Sequence, residues 1–160
     1  MLMTRVKQTF GTQVRRLLEL LDGDVVKFYE QAGLDYRPRY TPVMRLLLRE
    51  GAMTVGELAN RSGLTQPAVS QTLREMKKAD LVVDAKSEDR RQRRIVLSAH
   101  GESLRETLEG QWAATREAAA SLDEGLAYPL SDLLAEAIES LEADPFADRI
   151  RRALKTEEDK

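Results

Sequence analysis

The sequence predicts a mainly α-helical chain with a small β-wing: a winged helix-turn-helix flanked by long N- and C-terminal helices. Three observations carry that expectation. Residues 54–79 hold two short apolar-striped segments that meet at Gly63, and residues 81–97 hold two β-branched runs around an arginine-rich loop. Long apolar stripes at helical spacing occupy both ends of the chain. With 160 residues the chain has the size of one domain with a real core. Within that single domain, 1–160, the winged helix-turn-helix is expected over 43–98 and the flanking helices over 1–35 and 99–155.

Val6, Phe10, Val14, Leu17, Leu18, Leu21, Val25 and Phe28 recur in steps of three and four, which predicts a helix over 4–31. That stripe is longer than the winged segment can cover. Gly33, Pro38 and Pro42 break the helix and make 33–42 a connector. Thr41 is placed to cap, and Pro42 to open, a helix over 43–50 whose Val43, Leu46 and Leu47 brace the winged segment. Ala52–Thr54 fits a short strand.

Val55, Leu58 and Ala59 give a short helix over 55–62 with one buried stripe. Gly63 supplies the left-handed turn, and Leu64 is expected to point back into the core. Thr65 is a good N-cap for the next helix, with Pro67 in the first turn, where a missing N–H costs little. Over 66–79, Val69, Leu73 and Met76 face the core. Pro67, Gln71, Arg74 and Lys78 form the opposite stripe, with Ser70 beside it. Glutamine pairs with adenine edges, arginine with guanine edges and serine with either, so Gln66, Ser70, Gln71 and Arg74 are the candidate base readers. Ala59, Gly63 and Val69 have the small, turning and β-branched character that a helix-turn-helix needs at that spacing.

Leu81–Val83 and Arg94–Leu97 read as strands, and 84–92, with no apolar anchor, as an exposed loop. From Lys86 to Arg94, the basic Lys86, Arg90, Arg91, Arg93 and Arg94 stand against Glu88 and Asp89, a net +3. Such a tip suits phosphate contact or a narrow minor groove. Ser98 is placed to cap a second long helix, 99–121, with Leu104, Leu108, Trp112, Thr115 and Ala119 along one face. A third helix is expected over 124–142, with Pro129 early enough to shift its start. Asp144-Pro145 restarts a helix with Phe146, Ile150 and Leu154 inward, before a charged tail, Lys155–Lys160, that should fray. Apolar stripes at both ends with no cover in the chain predict a homodimer. Its two reading heads would lie one DNA turn apart, ~34 Å, on a pseudo-palindromic duplex.

A net charge of −2 first argues against nucleic acid, but its distribution answers the objection. Residues 54–97 carry nine basic and six acidic side chains, whereas 98–160 carry seven basic and fifteen acidic. Local potential steers a duplex, not the sum over the chain. The absence of cysteine excludes disulfides, thiolate metal sites and a cysteine nucleophile. No apolar run approaches the ~20 residues of a membrane span and no leader is evident, so a soluble, cytoplasmic chain without a membrane partner is expected. His100, the only histidine, follows a helix cap without a histidine neighbour. No catalytic residue, metal or cofactor is predicted.

On these residues the chain resembles the DNA-binding domain of the MarR (multiple antibiotic resistance regulator) family. The resemblance is carried by GELANRSGLTQPAVSQTLREMKKADLV, by the wing SEDRRQRRIVLS and by the following AHGESL. The family's Asp-x-Arg wing signature is met by Asp89-Arg90-Arg91, before a strand ending in Leu-Ser. It implies that Asp89 orients a basic side chain and that Arg91 reaches into the minor groove. Arg90, Arg93 and Arg94 would be phosphate contacts or braces against the wing's own acidic residues. It also implies a repressor that dimerises through its terminal helices, loosened from DNA by a small aromatic or phenolic ligand. Tyr36, Arg37, Tyr40 and Trp112 are the candidate ligand residues; Tyr29 and Arg39 lie near them in sequence, and Trp112 and Tyr29 equally suit core positions. A different reading stays open, a winged-helix protein-interaction module without DNA binding, which would show no salt-dependent affinity for a duplex.

Overall fold

The computed structural model describes residues 9–85 and 93–158. The first helix, α1, spans Phe10–Gln31, with the Thr9 side chain accepting from the Thr12 N–H. Its Tyr29 is buried, while Phe10, Leu18 and Phe28 are 69, 57 and 53 % exposed. A 3-10 turn, Pro38–Tyr40, leads directly into α2, Thr41–Glu50. Thr41 is therefore not the cap that the sequence suggests. The preceding turn has already brought it to helical dihedrals (φ −54°, ψ −46°), Tyr40 takes the capping position, and the Thr41 hydroxyl accepts from Tyr36 at 3.4 Å. Val43, Met44, Leu46 and Leu47 of α2 are buried.

After β1, Met53–Thr54, the helix α3, Val55–Ser62, opens with a reciprocal cap. Thr54 Oγ1 accepts from the Glu57 N–H at 3.2 Å, and the Glu57 carboxylate accepts from the Thr54 N–H at 2.7 Å. Gly63 then takes the left-handed conformation, φ +69°. Leu64 does not return to the core: it is exposed, while Leu58 of α3 and the following Val69 and Leu73 are buried. Helix α4, Gln66–Lys78, is capped by Thr65, whose Oγ1 accepts from the Ala68 N–H at 3.4 Å.

Strand β2, Val82–Asp84, starts one residue later than expected. Leu81 is buried and uses both backbone groups elsewhere: its N–H donates to the Met76 carbonyl at 2.9 Å, and its carbonyl accepts from the Ser98 N–H at 3.0 Å. Strand β3, Arg94–Leu97, lies between β1 and β2 in an antiparallel sheet, with Met53 opposite Ile95 and Val83 opposite Val96.

Ser98 caps a helix as expected, but the single helix over 99–121 is replaced by two. These are α5, Ala99–Ser103, and α6, Arg105–Glu124, with a turn at Leu104. The reason is local. Ser98 Oγ donates to the Asp80 carbonyl and accepts from the Gly101 N–H at 2.9 Å. Gly101 sits so tightly on Leu81 that a Cβ there would lie 2.1 Å from its carbonyl oxygen. Helix α5 is thus seated on the winged segment, and α6 starts afresh with Arg105 donating to the Leu48 carbonyl at 3.1 Å. Leu108 and Trp112 are buried; Thr115 and Ala119, further along, are exposed.

The chain forms two compact units, one up to Trp112 and one from Ala113. The first holds the core just described. In the second, α7, Leu130–Ala143, begins after Pro129, where the Asp123 carboxylate accepts from the Leu130 and Ser131 N–H groups at 2.7 and 3.2 Å. Helix α8, Phe146–Glu158, continues well into the tail that the sequence marks as frayed. Arg149 on it donates to the Ser140 carbonyl and Oγ at 3.1 and 2.8 Å. Phe146, Ile150 and Leu154 are not turned inward: they are 58, 47 and 59 % exposed, as Leu133, Ile138 and Leu141 of α7 are also exposed. No described helix is long and apolar enough to cross a membrane.

Candidate nucleic-acid interface

The rotation of α4 is fixed from within, because Val69, Thr72, Leu73 and Met76 are all buried. That leaves Gln66, Pro67, Ser70, Gln71, Arg74 and Lys78 exposed on the outside. Thr65 stands at the head of the helix with its hydroxyl engaged as the cap. The outer stripe is organised rather than loose. Gln71 Nε2 donates to Glu75 Oε1 at 3.0 Å, while Gln71 Oε1 accepts from Arg74. The other Glu75 oxygen accepts from Arg39 and, at 3.4 Å, from the Tyr40 hydroxyl.

Glu75, which Arg39 holds, is absent from the sequence-derived interface. One half of the link was readable, since Glu75 lies four residues beyond Gln71 on the same helical stripe. The other half was not, since Arg39 is 36 residues distant and meets α4 only in the folded chain.

The wing's root is braced. Arg94 Nη1 donates to the Ala52 carbonyl at 2.8 Å, and Nη2 lies 3.5 Å from the Glu57 carboxylate, so Arg94 ties β3 to the lead-in of β1 and to α3. Lys77 holds both Asp84 oxygens at 2.8 Å and so ties α4 to β2. Arg93 is exposed. Asp89, Arg90 and Arg91, with Lys86 and Glu88, lie outside the described residues. Behind the helix-turn-helix, Arg61 clamps Glu50 through two hydrogen bonds of 3.0 and 2.7 Å. Arg61, with Arg49 beside it, holds the Glu50 carboxyl below the usual carboxylate range. The Glu57 carboxyl is also held low, first by the Thr54 backbone N–H that it caps.

The candidate ligand residues fall into separate places. Tyr36 and Tyr40 are buried in an edge-to-face cluster, Tyr36 lying 4.8 Å from Tyr29 and 5.6 Å from Tyr40 between ring centroids. Burial pushes the Tyr36 phenol well above its usual range. Arg37 is exposed. Trp112 instead lines a groove of about 600 Å³ between α2 and the start of α6, shared with Arg45, Leu48, Arg49, Arg105 and Glu109. The Arg45 guanidinium lies 5.1 Å from the Trp112 ring centroid, and the indole N–H is buried without an acceptor among the described residues. Arg45 makes no ion pair among the described residues. No group of three or more metal-ligating side chains occurs among them either, and His100 is exposed.

Residues 33–95 match the family model of the MarR family. No curated protein sequence matches the chain. Among solved structures it is similar to NadR in complex with 4-hydroxyphenylacetate, at 25 % identity and TM-score 0.52, over 90 % of this chain and 99 % of NadR. It shares its fold with S. aureus MepR bound to DNA, at 17 % identity and TM-score 0.63, over 86 % of this chain and 98 % of MepR. The same holds for the M. tuberculosis regulator MOSR bound to DNA, at 19 % identity and TM-score 0.66, over 87 % and 100 % of the two chains. The helix-turn-helix, with the exposed polar stripe of α4, thus lies within the segment that matches the MarR family model, and the chain shares its fold with regulators solved on DNA.

Proposed function

We propose that the chain is a homodimeric, sequence-specific repressor that occupies a pseudo-palindromic operator and is released from it by a small aromatic ligand. The observation that carries DNA reading is α4 itself. One face is locked into the core and the other offers Gln66, Ser70, Gln71 and Arg74, the residue types that pair with base edges. Arg91, by resemblance, anchors the wing in the minor groove. The exposed apolar faces of α1, α7 and α8 support pairing with a second copy.

The groove beside Trp112 supports the ligand. Arg45, which has no ion pair among the described residues, suits a carboxylate, and the indole suits an aromatic ring. NadR has been solved with an aromatic carboxylate, 4-hydroxyphenylacetate. A ligand with different affinities for two spacings of the heads shifts the pair away from the operator spacing.

The test is selection of bound duplexes from a random pool, followed by titration of the selected site against salt and against 4-hydroxyphenylacetate. The expected outcome is a pseudo-palindrome with half-sites one helical turn apart and affinity that falls steeply as salt rises. Weaker binding at millimolar 4-hydroxyphenylacetate supports the ligand class, and unchanged binding overturns it. No duplex affinity at any salt overturns the regulator reading and leaves a protein-interaction module.

A further inference from the structure

We propose that Glu75 is a positioning residue for base reading: pinned by Arg39 and Tyr40 of the connector, it fixes the polarity of the Gln71 amide and, through it, the place of Arg74. This rests on the DNA-reading role proposed above. A glutamine amide has two ends of similar shape and opposite hydrogen-bonding character, and only its surroundings decide which end points where. An ionised carboxylate is an acceptor alone, so Gln71 must turn its NH₂ group towards Glu75, as the 3.0 Å bond records. The Gln71 carbonyl is then the end that Arg74 meets.

The second amide hydrogen remains available to a base, so a glutamine held this way presents its donor and acceptor in one order only. Adenine asks for such an ordered pair, an acceptor for N6 and a donor for N7. Without the carboxylate, both amide orientations become open and the order is lost.

The position of Glu75 needs such an explanation. It is the only acidic residue in α4, on the helix that faces phosphates, where a bare carboxylate repels a duplex. Arg39 neutralises it, and the Glu75 side chain keeps only 20 % of its exposure. Its anchors come from outside the helix. Arg39 and Tyr40 belong to the 3-10 turn before α2, and Tyr40 packs edge-on against Tyr36, which packs on Tyr29 of α1. Base reading on α4 is thereby set by the connector rather than by the helix alone.

The test measures, for the full chain, affinity for the selected duplex, for that duplex changed at single base pairs, and for an unrelated duplex. Glu75→Ala is expected to lower discrimination about tenfold at the pair read by Gln71, while affinity for the unrelated duplex holds or rises. Glu75→Gln, which keeps an acceptor for Gln71, retains more discrimination than Glu75→Ala. Arg39→Ala keeps the carboxylate charge but frees it, so discrimination falls without a gain on the unrelated duplex. Unchanged discrimination in Glu75→Ala overturns the proposal. So does a parallel loss on every duplex with a lowered melting temperature, which is what mere unfolding produces. A wild-type chain that fails to discriminate at all instead refutes the regulator reading itself.

Discussion

Arg74 sits on the outer stripe of α4, away from the core, so its substitution tests reading without touching packing. Arg74→Ala is expected to cost about 1–3 kcal/mol of binding to the selected duplex and to relax preference at one base pair, measured by competition titration. An unchanged preference removes Arg74 from the readers. Gly101 is the opposite case, with no part in reading. The Cβ of Gly101→Ala would stand 2.1 Å from the Leu81 carbonyl oxygen, a backbone atom that cannot swing aside. The variant should lose about 3 kcal/mol or more of unfolding free energy, visible as a lowered midpoint in urea.

Glu50 adds a pH dependence whose sign follows from its clamp. Its folded carboxyl is held below the unfolded value by Arg61, so the contribution is present above the ordinary carboxylate pKa and is lost as pH falls through the lowered one. Glu50→Gln should therefore flatten the acid limb of a stability–pH profile and leave the neutral plateau with its shape unchanged.

At the scale of elements, caps decide where helices start. The reciprocal Thr54–Glu57 cap opens α3, the helix that carries α4, and Thr54→Ala should cost about 1 kcal/mol in thermal or urea unfolding. The winged segment was largely legible because its signals are local. Val69, Leu73 and Met76 repeat at helical spacing, Gly63 must turn, and Thr65-Gln66-Pro67 announces a helix.

What failed to show in the sequence depends on contacts across the chain. The break at Leu104 follows the seat of Gly101 on Leu81, a contact between residues twenty positions apart. Thr41 is no cap for a nearer reason, because a 3-10 turn starts the helical path before it. The candidate readers were legible as residue types. The bonds that Gln71 and Arg74 make were not, since they run through Glu75 to Arg39, a pairing that no periodicity reveals.

For the whole molecule, the apolar faces of α1, α7 and α8 set the expected assembly. Sedimentation at micromolar concentration should report twice the 18.1 kDa mass of the chain. Ile138→Glu combined with Leu154→Glu, both at exposed apolar positions, should shift the sedimenting species to the single chain. Affinity for the full pseudo-palindrome should then fall towards that for one half-site, while the winged segment keeps its helical circular dichroism.

The seat of Gly101 on Leu81 bears on how variants of this chain would be sorted in a living cell. In a library screened only for loss of duplex binding, a bulky residue at 101 and a blunted one at 74 would look alike. Protein abundance separates them. The first would be cleared by proteases as a misfolded chain, whereas the second would accumulate normally and stay off the duplex.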